Sequence, residues 1–320
     1  MRAIVQDRYG PPDVLELREV ERPAVGDGEV LVRVRAASVN PQDWHLMRAS
    51  PFVVRMTGTG LRAPKNPVRG TDAAGEVEAV GGNVTRFRPG DEVFGWCEGA
   101  FAEYVCADES HFVAKPADLS FESAAALPLA GCTALQGLRD TGAVQPGQDV
   151  LIIGAGGGIG TFAVQIAKAL ECRVTGICST GKLDFVRSLG ADHVIDYTRE
   201  DFTHGEQRYD LILQLAGTAS PSACRRALTP NGTLALSSGE GRVAGIDRVV
   251  RALVSSPLVG QRLRPFLTKE TTEDLETLSE LVEAGKLTPV IDRTYPLSDV
   301  PEAIAYVEEG HARGKVVIAT

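Results

Sequence analysis

The stretch "VLIIGAGGGIGTFAVQIAKAL", residues 150–170, places a cluster of glycines between a β-branched apolar run and an amphipathic segment. Glycine destabilises a helix or strand interior by about 0.5–1 kcal/mol relative to alanine, so a cluster needs a local reason. The run "DVLII" predicts a buried strand and "GTFAVQIAKAL" predicts a helix, so the glycines form a strand-to-helix turn. Either the backbone turns sharply here or a ligand approaches it closely.

A strand, a glycine turn and a helix in this order are the context that a dinucleotide-binding fingerprint requires. A turn without Cβ atoms lets backbone N–H groups approach a pyrophosphate, and the helix N-terminus adds a partial positive charge. The spacing can be read as Ala155-x-Gly157-x-x-Gly160 or as Gly154-x-x-Gly157-x-x-Gly160. The alternative is a tight connection without a ligand. We predict a dinucleotide site whose turn residues are Gly154, Ala155, Gly157, Gly158, Ile159 and Gly160.

The next predicted strand indicates which nucleotide binds. NAD sites carry an acid about 20 residues beyond the glycines, which takes the ribose 2′-hydroxyl and repels a 2′-phosphate. Here the strand "RVTGIC" ends at Cys178 without an acid, and Ser179, Thr180 and Lys182 follow. Hydroxyl donors and a cation suit a 2′-phosphate, although these hydroxyls could equally cap a helix. The sequence therefore predicts NADPH as the cofactor.

The apolar period changes along the chain. Residues 1 to about 120 contain short β-like runs separated by Gly, Pro and Asp, such as "EVLVRVRAASV" (29–39) and "DEVFGW" (91–96). From about 124 to 285, strands alternate with helices, as in βαβ units around a parallel sheet. The last thirty residues return to short strands around one helix. We predict an α/β protein with a doubly wound parallel-sheet domain and a β-rich domain.

Composition excludes several classes of protein. The chain has 320 residues and a net charge of -9, and its basic residues are dispersed, so nucleic acid and anionic membranes are not expected as partners. We find neither a signal-peptide core nor a spanning apolar run, and we expect a cytoplasmic protein. The six cysteines form no Cys-x-x-Cys pair, and we expect reduced, mostly buried thiols.

Several segments together resemble the medium-chain dehydrogenase/reductase superfamily, and specifically its zinc-free NADPH:quinone oxidoreductase branch. They are "NPVRGTDAAGEVEAVGGNVTRFRPGDEVFGW", "GAFAEYV", "AAALPLAGCTALQGL", the glycine stretch itself, "RSLGADHVIDY" and "GHARGKVVI". The resemblance covers nearly the whole chain. It implies a GroES-like catalytic domain over 1–123 and 287–320, an inserted Rossmann NADP-binding domain over 124–286, and catalysis in the cleft. We also expect a homodimer.

The same resemblance implies that no metal is bound. Zinc-dependent relatives have a cysteine where this chain has Asn40, a histidine at Thr71 and a glutamate at Asp72. Asn and Thr do not match the thiolate and imidazole chemistry of a zinc site. The four-cysteine structural lobe is also missing, because "FGWCEGAFAEYVC" (94–106) runs straight through its place.

Candidate catalytic residues follow from the resemblance of "SVNPQDWHLMR" (38–48) to the loop that lines the substrate cleft in the quinone reductase branch. Asn40 is expected to donate to the substrate oxygen near the nicotinamide, and Asp43 to hold the loop. His45 either donates to a substrate oxygen or is a surface histidine. Thr133 either lies near the nicotinamide or is a buried helix hydroxyl, and Tyr197 is expected to contact the adenine or to be a strand-end aromatic.

Three classes of function stay open. The first is NADPH-dependent reduction of quinones or α,β-unsaturated carbonyls, which are electrophilic without a metal. The second is a zinc-free NADP-dependent alcohol or carbonyl dehydrogenase, and the third is a non-enzymatic NADPH-bound redox sensor. The basic, amphipathic segment 239–267 differs from the compact quinone reductases, and we expect it to cover the cleft or to form a subunit contact.

Overall fold

The computed structural model describes residues 1–50, 60–237, 252 and 260–320. The strands in chain order are β1 (Arg2–Gln6), β2 (Leu15–Glu19), β3 (Glu29–Val39), β4 (Asp72–Val80), β5 (Glu92–Trp96), β6 (Tyr104–Asp108), β7 (Phe112–Ala114), β8 (Asp149–Ile153), β9 (Arg173–Cys178), β10 (His193–Asp196), β11 (Tyr209–Gln214), β12 (Leu228–Ser237), β13 (Arg262–Phe266), β14 (Ile291–Pro296) and β15 (Lys315–Ala319). The helices are α1 (Pro41–Arg48), α2 (Phe121–Ala125), α3 (Pro128–Gln136), α4 (Gly158–Ala169), α5 (Leu183–Ser188), α6 (Pro221–Arg226), α7 (Thr272–Glu283) and α8 (Val300–Glu308).

Contacts between residues divide the chain into two units. The strand-rich unit consists of Met1–Ala130, Glu270–Glu283 and Pro289–Thr320, and the parallel-sheet unit consists of Gly131–Lys269 and Ala284–Thr288. The first unit is therefore built from both ends of the chain. The domain boundaries predicted from the sequence, at 123/124 and 286/287, stay predictions.

The parallel-sheet unit contains six strands in the order β10-β9-β8-β11-β12-β13, and all neighbours are parallel. Counted from β8, this is the strand order 3-2-1-4-5-6 of a doubly wound dinucleotide-binding sheet. The "DVLII" strand lies near its centre, and the last four of its five residues are buried. The chain reverses direction across the sheet between β8 and β11. In such sheets ligands bind beyond the carboxyl ends of the strands at this switch point, where the glycine turn begins.

The strand-rich unit contains a seven-stranded sheet in which β14, β15, β3, β4, β5 and β7 are neighbours in that order and β6 pairs with β3. Its pairs are antiparallel except β14 with β15. The last strand, β15, lies against β3 with Val316 opposite Val39. Apolar side chains from both ends of the chain share one core in this unit, including Val34, Phe101 and Ile304. The predicted α/β fold class, a doubly wound parallel-sheet domain with a β-rich domain, is confirmed.

Two local features differ from the sequence interpretation. The segment after β3 is helical as α1, because Asn40 caps it, Pro41 occupies its first turn and Asp43 accepts the Asn40 N–H. Most of segment 239–267, which was predicted to cover the cleft or to form a subunit contact, lies outside the described residues. Its final part contains strand β13, which pairs with β12 of the parallel sheet.

Candidate active site

The glycine turn at the end of β8 combines close packing with one open position. Gly154 has a φ of 91°, in the left-handed region, and a Cβ there would lie 2.7 Å from the Cβ of Ala216. A Cβ on Gly160 would collide with the carbonyl oxygen of Gly154. A Cβ on Gly157 would meet only that same oxygen, at an ordinary 3.5 Å. Gly154 and Gly160 are therefore required by the turn itself, whereas Gly157 leaves space beside it.

The N-terminus of α4 faces this space as an uncompensated positive end. Gly157 is the N-cap residue, and within the described part of the chain no side chain caps the helix and no acid lies in its first turn. The first N–H groups of a helix have no partner inside it, so an anion can bind there. The turn therefore fits the pyrophosphate of a dinucleotide. The N–H groups of Gly158, Ile159 and Gly160 are the donors that would hold it.

Lys182 brings a cation to the same turn. Its Nζ lies 3.3 Å from the carbonyl oxygen of Gly156, although it is 26 residues further along the chain. Ser179 and Thr180 lie between the end of β9 and this lysine. The three residues predicted for a 2′-phosphate thus follow the carboxyl end of β9, on the same side of the sheet as the glycine turn that follows β8.

An acid that sequence reasoning missed lies at this edge. Asp196 ends β10 opposite Cys178, the last residue of β9, and its carboxylate accepts hydrogen bonds from Thr180 Oγ1 at 2.5 Å and Thr198 Oγ1 at 2.7 Å. The Thr180 hydroxyl is the main reason that the pKa of Asp196 lies below its usual range. Asp196 is therefore ionised, and the Thr180 hydroxyl hydrogen already points to it. Only the parallel pairing of β9 with β10 reveals this contact.

Two further predicted residues belong to the parallel-sheet unit. Tyr197 follows Asp196 and is 62% exposed, with its backbone N–H donating to Cys178 O at 3.2 Å, so it stands at the same edge as Ser179. Thr133 is buried on α3, and its hydroxyl lies 2.6 Å from that of Thr268. The structure gives Thr133 a hydrogen bond within its own unit and does not group it with the glycine turn.

Asn40 lies at the centre of a buried polar network in the strand-rich unit. Its Nδ2 donates to Asp72 Oδ2 at 2.9 Å, and its Oδ1 accepts from Lys315 Nζ at 2.5 Å. Its backbone N–H donates to Asp43 Oδ2 at 2.7 Å. The predicted role of Asp43 in holding this segment therefore has a physical basis. Lys315, which the sequence analysis did not single out, orients the predicted donor.

Burial dominates the protonation of this network. Asp72 is fully buried, and the cost of desolvating its carboxylate raises its pKa even though Lys315 Nζ lies 3.9 Å away. Burial likewise lowers the pKa of Lys315 and raises the pKa of Asp43 to about 7. A pKa of about 7 means that Asp43 can gain or lose a proton near neutral pH.

The donor set at these positions does not fit a catalytic zinc ion. Zinc sites use thiolate, imidazole and carboxylate ligands. Here the Asn40 amide is hydrogen-bonded to Asp72 and to the Lys315 ammonium group, and Thr71 offers only a hydroxyl. Within the described part of the chain, no three His, Cys, Asp or Glu side chains are grouped as a metal centre would need.

A cavity of about 610 Å³ lies beside α1 within the strand-rich unit. Its lining includes Gln42, Asp43, Leu46, Arg69, Thr71 and Cys97. Burial raises the pKa of the Cys97 thiol well above its usual range, so it is not a thiolate nucleophile. The volume is typical of a small-molecule site.

His45 is less closely associated with this cavity. Its Nδ1 lies 3.0 Å from Ser50 O, and its ring stacks on Trp44 at a centroid distance of 3.6 Å. Like Asn40, it is not among the described residues that line the cavity, whereas Asp43 is. The structure therefore brings Asn40 and Asp43 together and leaves His45 on the outer part of α1.

Two family models match the chain. One described as an alcohol dehydrogenase GroES-like domain covers residues 26–117, and one described as a zinc-binding dehydrogenase covers residues 189–318. The second match does not include Asn40, Thr71 or Asp72. Among the described residues, no helix combines the length and apolar character needed to cross a membrane.

Relatives match over nearly the whole chain. The human protein named NAD(P)H oxidoreductase RTN4IP1, mitochondrial, is 34% identical over 99% of this chain and 89% of its own length. The 2-methylene-furan-3-one reductase of Solanum lycopersicum is 34% identical over 99% of this chain and 79% of its own length. The solved quinone oxidoreductase from Coxiella burnetii is 32% identical, with a TM-score of 0.89 over 100% of this chain and 99% of that one.

These matches and the strand order of the two units agree with each other. The fingerprint turn lies at the switch point of a dinucleotide-binding sheet, and the residues that match the GroES-like family model belong to the strand-rich unit. The chain belongs to the quinone oxidoreductase branch of the medium-chain dehydrogenase/reductase superfamily, a family of nicotinamide-dependent oxidoreductases.

Proposed function

We propose that this protein uses NADPH to reduce quinones or α,β-unsaturated carbonyl compounds without a metal ion. The observation that carries the proposal is the Asn40 side chain, which is tied to Asp72 and Lys315 where a zinc-dependent relative has a metal ligand. Without a Lewis acid the acceptor must be electrophilic already, and conjugated carbonyls meet that condition. The names of the tomato and Coxiella relatives agree with such acceptors.

The choice of NADPH over NADH rests on charge at the edge of the parallel sheet. Lys182 supplies a cation beside the glycine turn, and Ser179 supplies a hydroxyl donor. The Asp196 carboxylate would repel a 2′-phosphate only weakly, because Thr180 and Thr198 donate to it and Arg199 Nε lies 3.6 Å away. We assign Ser179 and Lys182 to the 2′-phosphate, Thr180 to the same end through its hydrogen bond to Asp196, Tyr197 to the adenine, and the turn residues to the pyrophosphate.

The reaction balances with one hydride and one proton. The nicotinamide, when bound, supplies a hydride from its C4 position to a quinone or to the β-carbon of an enone. A proton from solvent or from Asp43, whose pKa is about 7, completes the hydroquinone or the saturated carbonyl compound. Asn40 keeps one Nδ2 hydrogen beyond its bond to Asp72, and we assign that hydrogen to the acceptor oxygen. His45 and Thr133 stay candidates for the same role.

A steady-state panel tests the reaction class. NADPH oxidation is followed with benzoquinones, naphthoquinones, 2-alkenals and simple ketones, and NADP⁺ reduction with primary alcohols. We expect the conjugated acceptors to react best, because conjugation spreads the charge that a ketone would concentrate on one oxygen. If alcohols with NADP⁺ are the best substrates, the dehydrogenase interpretation replaces this one. If NADPH binds and nothing reacts, the sensor interpretation does.

Asn40→Ala tests the assigned donor. Loss of a main hydrogen-bond donor to the developing charge typically lowers turnover by about ten- to a thousandfold. We expect kcat/KM for a quinone to fall in that range, while the affinity for NADPH measured by fluorescence stays within about twofold. Asn83→Ala, at an exposed position of the same unit, is the control. An unchanged kcat/KM in Asn40→Ala removes Asn40 from the reaction.

A further inference from the structure

We propose that Arg69 makes the cavity of the strand-rich unit a binding site for acceptors that carry a carboxylate group. This inference rests on the proposed function, and it adds the class of acceptor. The observation behind it concerns one edge of the Arg69 guanidinium group, which is formed by the Nε and Nη2 atoms. The Nε and Nη2 atoms on this edge are both buried, and neither hydrogen-bonds to any described residue.

The two nitrogens form the pair that recognises a carboxylate. The N–H groups of Nε and Nη2 point in parallel along one side of the planar guanidinium, so they can donate to the two oxygens of a single carboxylate. A charged group buried without hydrogen bonds is strongly disfavoured. The burial also lowers the pKa of Arg69 from its ordinary value, although the side chain stays a cation in water. A ligand carboxylate would supply both missing partners.

The Arg69 backbone is fixed, and its side chain borders the cavity. The Arg69 N–H donates to Ile4 O at 3.3 Å, and the Arg69 carbonyl accepts from Phe101 N at 2.7 Å. The residue as a whole is half-buried and contributes to the lining together with Thr71, whose Oγ1 is also buried without a described partner. The Arg69 side chain therefore borders the space that a ligand would occupy, and two hydrogen bonds hold its backbone in place.

The charges around Arg69 leave it available to an external anion. Tyr9, Asp43 and Glu98 are the acidic groups that act on its guanidinium, and the Tyr9 hydroxyl donates to Gly60 O at 2.7 Å. Asp43 has a pKa of about 7 and accepts the Asn40 N–H, so it is only partly ionised at neutral pH. Glu98 is exposed and accepts from Asn66 Nδ2 at 3.2 Å, and water screens its charge. A carboxylate in the cavity would therefore form the close pair with Arg69 that Asp43 and Glu98 do not form.

The experiment compares matched ligands in matched variants. The reducible pair is trans-3-benzoylacrylate and its methyl ester, and the non-reducible probe is 3-benzoylpropionate. The variants are Arg69→Met, which removes the charge, and Arg69→Lys, which keeps the charge but loses the parallel donors. Arg88→Met is the control, because the Arg88 side chain is 87% exposed and pairs with Asp91. Thermal melting verifies that each variant is folded.

We expect the ratio of kcat/KM for the acid to that for the ester to fall at least about tenfold in Arg69→Met, with an intermediate fall in Arg69→Lys. The dissociation constant of 3-benzoylpropionate, measured by calorimetry with NADP⁺ present, should rise by a similar factor. Arg88→Met should match the unmodified protein in both measurements. An unchanged ratio and an unchanged dissociation constant in Arg69→Met would overturn the proposal.

The readouts separate this proposal from the proposed function. If the unmodified protein reduces neither neutral enones nor quinones, the proposed function fails, and calorimetry with 3-benzoylpropionate still decides the role of Arg69. If neutral acceptors react well but the acid binds no better than in Arg69→Met, the function stands and the carboxylate site is wrong. If Arg69→Met does not fold, Arg69→Lys decides alone, and binding as tight as in the unmodified protein counts against the proposal.

Discussion

At the scale of single residues, burial decides which groups can change protonation. Asp72 and Asp43 lie in the same buried polar network. The Asp72 carboxylate accepts hydrogen bonds from the Asn40 and Ser38 side chains and lies near Lys315, and the Asp43 carboxylate accepts the backbone N–H of Asn40. Desolvation raises both pKa values. Folding therefore places carboxyl groups in an environment that favours their neutral form, and this has a cost that depends on pH.

Asp43→Asn should remove a pH-dependent part of the stability. The folded pKa is about 7 and the ordinary value is 3.8, so between these pH values the folded state binds more protons than the unfolded state. The free energy of unfolding therefore falls by a few kcal/mol at most as the pH rises through this window. It levels off above the window. Asparagine is neutral throughout and keeps an acceptor for the Asn40 N–H.

Urea unfolding between pH 4 and pH 8, followed by tryptophan fluorescence, measures this effect. Both tryptophans, Trp44 and Trp96, belong to the strand-rich unit, so the signal reports on the unit that contains Asp43. We expect the free energy of unfolding to fall less steeply with rising pH in Asp43→Asn than in the unmodified protein. Asp184→Asn, at a fully exposed side chain, is the control. Equal declines in all three proteins would show that Asp43 titrates at its ordinary pKa.

Lys182→Ala should reduce the preference for NADPH. We expect the unmodified protein to bind NADPH at least about tenfold more tightly than NADH, which corresponds to about 1.4 kcal/mol. Removing the ammonium group beside the glycine turn should narrow this difference, since only NADPH carries the 2′-phosphate that this charge would attract. Fluorescence titration measures both affinities, with the exposed Lys286→Ala as control. Equal affinities for the two cofactors in the unmodified protein would remove the assignment.

Which residues of the site could be predicted depended on the sequence distance of their partners. The sequence alone could nominate Asn40, Asp43 and the turn glycines, because they belong to short motifs, and their roles stay predictions. Lys315 is 275 residues from Asn40, and only the pairing of β15 with β3 brings the two together. The contact of Asp196 with Thr180 likewise depends on strand pairing, and the unpaired edge of Arg69 depends on burial. No local pattern carries either signal.

At the scale of elements, the period of the apolar residues predicted whether a segment is a strand or a helix better than it predicted where that segment begins and ends. The strand "DVLII" and the helix after the glycines were predicted correctly, because a short β-branched run and an amphipathic run differ in period. Helix α1 was described as a loop, although Asn40, Pro41 and Asp43 are typical of a helix start. Its eight residues have too few apolar positions for a periodic signal. Strand β13 was missed inside a basic, amphipathic segment that was expected to cover the cleft or to form a subunit contact.

Gly157→Ala separates the two interpretations of the glycine turn. The added Cβ would make only an ordinary contact, so the thermal midpoint without ligand should stay within about one degree. It would lie in the space assigned to the pyrophosphate, so the dissociation constant for NADPH should rise at least about tenfold. Gly82→Ala, with nothing near its Cβ, is the control. An unchanged affinity for NADPH would favour a tight connection that binds no ligand.

At the scale of the whole molecule, the chain joins a nucleotide-binding unit to a unit with a polar network and a cavity. Each unit carries one half of the proposed chemistry. The parallel-sheet unit has the turn and the cation for NADPH, and the strand-rich unit has Asn40, Asp43 and Arg69 for the acceptor. The proposed reaction requires that a hydride pass from NADPH to the acceptor without the help of a metal.

Transfer of deuterium from NADPH labelled at C4 to an enone, in the presence of a zinc chelator, tests this requirement most directly. Both C4-labelled stereoisomers are used, and the products are examined by mass spectrometry and NMR. We predict that one stereoisomer places deuterium on the β-carbon of the saturated product, with one NADP⁺ formed for each enone reduced. Reduction that stops when zinc is chelated, or a product without deuterium from either stereoisomer, would contradict the account.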